Sequence, residues 1–210
     1  MKILHLCVGV VGTNCYIVFD GATKEGAVID PGDNADAILG QVRKEGVDVK
    51  YILLTHAHFD HVLAAKAIKE ATGAKLVLHQ ADAPLMAKEA MTDFRPFIKN
   101  YEEPAVDLYA EEGTQVSFGG MTATYLHTPG HTPGSCVIML GDCLFTGDTM
   151  FRHECGRCDL PGGNFDDMLR SLKRLHDLEG DYHVLPGHEG ASTLEEERRH
   201  NPYVRQALAR

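Results

Sequence analysis

The segment Thr55–His61, THAHFDH, places three histidines and one aspartate within seven residues. Imidazole and carboxylate together are the donor mix that borderline and hard divalent ions take. His56 and His58 stand two positions apart at the end of the apolar run Val49–Leu54. In extended backbone such side chains share a face, so both rings can reach one ion. Asp60 and His61 come after the chain turns and approach from another direction. A single tetrahedral zinc needs only about three protein ligands and a water. The Asp60–His61 pair is therefore surplus and points to a second ion. Taken alone, Asp60 has a plainer reading, as the cap of a helix that starts at His61.

Later residues extend the set. His131 sits in TPGHTPGS, Asp148 in LFTGDT and His188 in VLPGHEG, each just past an apolar run that reads as a strand. Loops at strand ends are where α/β folds gather reactive groups. His5, His79, His127, His153, His176, His183 and His200 are read as structural or solvated. CGRC at Cys155–Cys158 has the spacing of a dithiol switch. It runs into Pro161-Gly162-Gly163 instead of opening a helix, and a zinc ribbon would need a second pair.

The elements that must position these groups follow from periodicity. Strands are predicted at Lys2–Val8, Cys15–Phe19, Ala27–Ile29, Val49–Leu54, Lys75–His79, Gln115–Phe118, Met121–His127, Ser135–Leu140, Cys143–Thr146 and Tyr182–Leu185. Helices are predicted over Asn34–Lys44, over His61–Thr72 with Gly73 as its C-cap, from Asn164 through Leu178, and from about Thr193 onward. Asp30-Pro31-Gly32 reads as a turn, and Ala81–Tyr109 as irregular. Strand clusters separated by helices imply an α/β layered fold with helices on the sheet faces.

The net charge of −10 argues against nucleic acid and anionic membranes as partners. No run reaches the ~18 apolar residues of a membrane span. MKILHLCVGV reads as a first strand and not a signal peptide. Six scattered cysteines fit reduced thiols in a cytoplasmic protein.

HAHFDH, PGHTPGS, TGDT and PGHEG, in this order and at this spacing, resemble the motifs of the metallo-β-lactamase-fold hydrolases over nearly the whole chain. The resemblance implies a four-layer αββα sandwich, a single domain over residues 1–210, with a dinuclear site at one edge. Carried over by position, His56, His58 and His131 hold one metal, Asp60, His61 and His188 hold the other, and Asp148 bridges both. Two divalent ions are expected, zinc first, with iron or manganese as alternatives. Ions ~3.5–4 Å apart share a hydroxide that attacks the substrate. Asp60 both ligates and orients that nucleophile.

The stretch FRHECGRCDLPGGN resembles a loop of glyoxalase II, whose substrates are glutathione thioesters. Arg157 takes the place of the basic residue that meets the glutathione there, and a guanidinium suits a carboxylate. Its alternative partner is Asp159. The reaction implied is hydrolysis of a thioester of the S-D-lactoylglutathione kind, because a thiolate leaves without a separate general acid. Two departures point to a short, single-domain type. The chain ends at Arg210, too soon for the helical extension of full-length glyoxalase II, and Gly190 replaces a tyrosine after the PGHE motif. The rival activity is a mononuclear-iron persulfide dioxygenase of the same superfamily. A β-lactamase is disfavoured, because an aspartate such as Asp148 bridging two ions is a feature of the thioesterase-like members.

Overall fold

Strand β2 (Thr13–Phe19) is buried along its whole length. Its alternation sets the layers: Cys15, Ile17 and Phe19 enter one core, while Tyr16 and Val18 enter another. The two-residue period of a strand sends successive side chains to opposite faces, so a strand buried on both faces must lie between two layers. The computed structural model describes residues 1–87, 91, 96, 98 and 101–210. Among these residues the strands form two six-stranded sheets.

The first sheet runs in chain order through β1 (Lys2–Val8), β2, β3 (Glu25–Ile29), β4 (Asp48–Leu53), β5 (Lys75–His79) and β6 (Leu108–Ala110). β1 to β3 form an antiparallel meander, and β3 to β6 are parallel. Parallel neighbours need crossovers. These are supplied by α1 (Ala35–Glu45), by α2 (Phe59–Val62) with α3 (Ala65–Thr72), and by a segment that includes α4 (Ala83–Met86). The second sheet contains β7 (Gln115–Phe118), β8 (Met121–His127), β9 (Cys136–Leu140), β10 (Cys143–Gly147), β11 (His183–Pro186) and β12 (Ser192–Thr193), in the spatial order β12-β11-β10-β9-β8-β7. Helix α5 (Phe165–His176) joins the parallel pair β10 and β11, and α6 (Leu194–His200) and α7 (Pro202–Leu208) follow.

Three apolar cores result. One lies between the sheets, one under α1 and α3, and one under α5 and α7, which is the αββα sandwich. The side chain of Asn164 caps α5 by accepting from the amides of Asp166 and Asp167, and Met168, Leu169, Leu172 and Leu175 form its buried stripe. Among the described residues no helix is long and apolar enough to cross a membrane.

Local departures from expectation have local causes. The helix predicted over His61–Thr72 is two helices, because the Ala64 amide donates to the Pro31 carbonyl (2.9 Å) and turns the chain between them. The C-terminal helix breaks at Asn201, whose extended backbone is what a following proline requires. β6 and β12 are short strands that the periodicity did not show. Of the irregular stretch Ala81–Tyr109, residues 88–90, 92–95, 97 and 99–100 lie outside the described residues.

Candidate metal centre

The two sheets come together beside the ends of β4, β10 and β11. Three backbone bonds lock that junction: Cys136 N to Thr55 O (2.8 Å), Gly187 N to Gly147 O (2.8 Å) and Asn14 N to Gly187 O (2.7 Å). His56 and His58 follow β4, Asp60 and His61 lie in α2, His131 is in the β8–β9 loop, Asp148 follows β10 and His188 follows β11. The fold brings all seven together. Their ligand atoms form three overlapping groups, each within 4.8 Å: His56, His58 and His131; His56, His61 and Asp148; and Asp60, His61 and His188.

Hydrogen bonds behind the site set the tautomers. The Thr55 hydroxyl donates to Asp30 Oδ2 (2.6 Å), so its oxygen is left to accept from His56 Nδ1 (3.1 Å). His61 Nδ1 donates to the same Asp30 oxygen (3.0 Å). His131 Nδ1 lies 2.7 Å from the Arg157 carbonyl, which can only accept. All three rings therefore turn Nε2 toward the cluster, as metal-ligating histidines do when their other nitrogen is anchored. On the open side, Asp60 Oδ2 accepts from Thr13 Oγ1 (3.0 Å) and lies 3.2 Å from His188 Nε2.

The charges divide the site in two. Burial pushes the His58 imidazole down to about 3, helped by His131, and pushes His56 well down too, helped by His61. Burial also works against a proton on His61, but Asp60, Asp148 and Asp30 outweigh it and hold the ring well above its ordinary value. His188 is likewise raised, its burial outweighed by the hydrogen bond to Asp60 and the field of Asp148. For Asp148, burial favours the neutral acid, yet His61 and His131 keep it well below the usual carboxylate range.

These residues fit metal ions. His56 Nε2, His61 Nε2 and Asp148 Oδ1 are buried with no hydrogen-bond partner, and buried polar atoms left unpaired are costly unless something coordinates them. His58 Nδ1 and His131 Nε2 are joined by a 2.7 Å hydrogen bond, so two of the candidate ligand nitrogens lie side by side. Gly187 is a cradle, since a Cβ there would lie 2.4 Å from Asp148 Oδ1 and 2.7 Å from His61 Cε1.

Arg157 lines the same cavity as the cluster. Its guanidinium is paired in a two-bond fork with Asp159 (Nε to Oδ1 2.6 Å, a terminal nitrogen to Oδ2 2.7 Å). Cys155 and Cys158 are free thiols, half buried against the core under α5, and burial raises them to about 12 and about 11.

The sequence reading missed three polar residues. Asp30 was taken only as part of a turn, although it follows an apolar strand just as Asp148 and His188 do. Thr13 carried no signal. Asp82 lay in the irregular stretch, yet its buried carboxylate accepts from Ala57 N (3.0 Å), Thr132 Oγ1 (2.8 Å) and Gly134 N (2.6 Å). It straps the His56–His58 strand end to the loop of His131.

The model of the Metallo-beta-lactamase superfamily matches residues 8–188. The hydroxyacylglutathione hydrolase GloC of Haemophilus influenzae is 30% identical, over 91% of this chain and 92% of that protein. Three crystal structures share the fold. BLEG-1 B3 metallo-beta-lactamase superposes with a TM-score of 0.89 at 29% identity, over 97% of this chain and 99% of that one. TTHA1623 in a di-iron-bound form gives 0.85 at 36%, over 96% and 100%. ETHE1 from Myxococcus xanthus gives 0.82 at 30%, over 96% and 84%.

Proposed function

The chain belongs to the metallo-beta-lactamase superfamily, and from that premise we propose that it is a dinuclear metal-dependent hydrolase that cleaves a thioester, with S-acylglutathiones as the substrate class. His56, His58 and His131 would hold one divalent ion, Asp60, His61 and His188 the other, and Asp148 would serve both. Bound there, the ions would supply a hydroxide near neutral pH and polarise the scissile carbonyl.

The observation that carries the thioester reading is what the cavity lacks. Its described lining is Val11, His58, Phe59, Asp60, His131, Asp148, Phe151, Arg157, Leu160 and His188. Apart from the candidate ligands, the one protonated group among these is Arg157, which does not give up its proton. An amine leaves poorly without an acid beside it, whereas a thiolate leaves unaided. Asp60 Oδ2 accepts from Thr13 and lies 3.2 Å from His188 Nε2, and Asp60 would both ligate and orient the nucleophile. Arg157 would meet a carboxylate of the thiol carrier by exchanging Asp159 for it.

A second reading, a persulfide dioxygenase, is favoured by the likeness to ETHE1 and by the cysteines of the Arg157 loop. One experiment separates the two. Purified protein with its metal quantified is offered S-D-lactoylglutathione and other acylglutathiones, and oxygen uptake is followed in parallel on glutathione persulfide. Thioester cleavage with about two metals per chain is expected. Oxygen uptake with a single iron and no thioester cleavage would overturn the proposal.

A further inference from the structure

The cavity over the metal centre has a volume of about 380 Å³ and two unlike walls. The polar part of the lining is the candidate ligands His58, Asp60, His131, Asp148 and His188 together with Arg157. The apolar part consists of Val11, Phe59, Phe151 and Leu160.

The apolar wall is built, and it draws on both halves of the chain. Val11 is 48% exposed and its neighbour Val10 is 74% exposed, at the tip of the β1–β2 hairpin. Two adjacent apolar side chains facing water contribute nothing to a core. The turn is nonetheless held in place: Gly9 and Gly12 take φ of +70° and +72°, a region costly for branched side chains, and Gly9 N donates to Asn34 Oδ1 (2.9 Å). Phe151 packs edge-on against His188, with ring centroids 6.0 Å apart. Its turn is pinned from the C-terminal helices, by Asn201 Nδ2 donating to Glu154 O (3.0 Å) and by Glu197 Oε2 accepting from His153 N (2.9 Å).

On the thioester reading above, we infer that the acyl half of the substrate is an apolar alkyl chain seated against Val11, Phe59, Phe151 and Leu160, and not a short hydroxyacyl group. A methylene placed on this wall leaves water for hydrocarbon contact. The hydroxyl of a lactoyl group sits on the carbon next to the carbonyl, so it stays beside the polar ligands and gains nothing from these four residues, which carry no polar side-chain atom.

The test keeps the carrier constant and varies the acyl group. Acetyl-, D-lactoyl-, butyryl- and hexanoylglutathione are compared by kcat/KM on the metal-loaded enzyme and on Val11→Ser. The expected rise is about fourfold per methylene that reaches the wall, the ratio given by ~0.8 kcal/mol per buried CH2. Val11→Ser should flatten that slope. A flat wild-type series, D-lactoyl exceeding butyryl, or a slope that Val11→Ser leaves intact would overturn the acyl assignment while leaving the thioesterase standing. No cleavage of any member would defeat the thioesterase and the acyl assignment together.

Discussion

Asp30 Oδ2 lies 3.0 Å from His61 Nδ1 and accepts the Thr55 hydroxyl at 2.6 Å. Through Thr55 the same oxygen also orients His56. One buried carboxylate, itself outside the ligand set, thus fixes a histidine from each half of the site. Asp30→Asn is expected to turn an amide N–H toward His61 Nδ1–H, invert the ring's tautomer and present a proton where a metal should be. Metal affinity should fall by about 10–100-fold, with secondary structure retained. Equilibrium titration with zinc checks this, and unchanged affinity would show that Asp30 acts only in the fold.

Proton release should differ between the two ions. Burial keeps His56 and His58 neutral in the metal-free protein near pH 7, since His58 is pushed down to about 3 from 6.5. His61 and His188 are raised and so hold a proton to higher pH than a free imidazole does. The group of Asp60, His61 and His188 must shed those protons to ligate, so its affinity should rise as pH climbs through the raised values. The group containing His56 and His58 gains less. Calorimetric titration in two buffers of different ionisation enthalpy reads the protons released, and equal release for both ions would contradict the charge division.

Arg157 acts through two separate parts. Its carbonyl holds His131 (2.7 Å) and survives any substitution, while its side chain faces the cavity and Asp159. Arg157→Ala should therefore keep the metal and raise KM for a glutathione thioester about two- to fivefold, with kcat little changed, because an exposed charge pair is screened by water and the reacting atoms keep their own contacts. Steady-state kinetics on the metal-quantified variant checks this. An unchanged KM would assign the arginine to its loop alone.

Gly187→Ala should lose metal without unfolding the chain. The added carbon would lie 2.4 Å from Asp148 Oδ1 and 2.7 Å from His61 Cε1, so both ligands would have to give way. Elemental analysis is expected to find well under half the wild-type metal. Full loading would mean that the junction tolerates a shift of that size.

Much of this site was legible before any coordinates. His56 and His58 announce themselves by two-residue spacing after an apolar strand, and His131, Asp148 and His188 by standing just past strand ends between glycines and prolines. Those are local properties of the chain. The strands were legible for the same reason, since Cys15–Phe19 of β2 and Cys143–Phe145 of β10 are apolar runs and β8 alternates. The two-helix break at Leu63–Ala64 was not, because it depends on the Pro31 carbonyl, supplied by a loop far earlier in the chain. Asp82 was hidden likewise: an aspartate in an irregular stretch looks solvated until two other loops close over it.

The amino-acid sequence by itself determined the donors, their order and the strand ends that carry them, because ligand chemistry and strand periodicity are written in neighbouring residues. Only the tertiary structure decided how those donors are aimed. Asp30 reaches His61 because β3 and β4 are parallel neighbours joined by a crossover, so groups 31 residues apart arrive at one sheet edge. The Arg157 carbonyl anchors His131 across 26 residues, and Val11 and Phe151, 140 residues apart in sequence, line one cavity. Hydrogen-bond partners, tautomers and cavity walls are set by which strand lies beside which, and packing fixes that after the local chemistry is already in place.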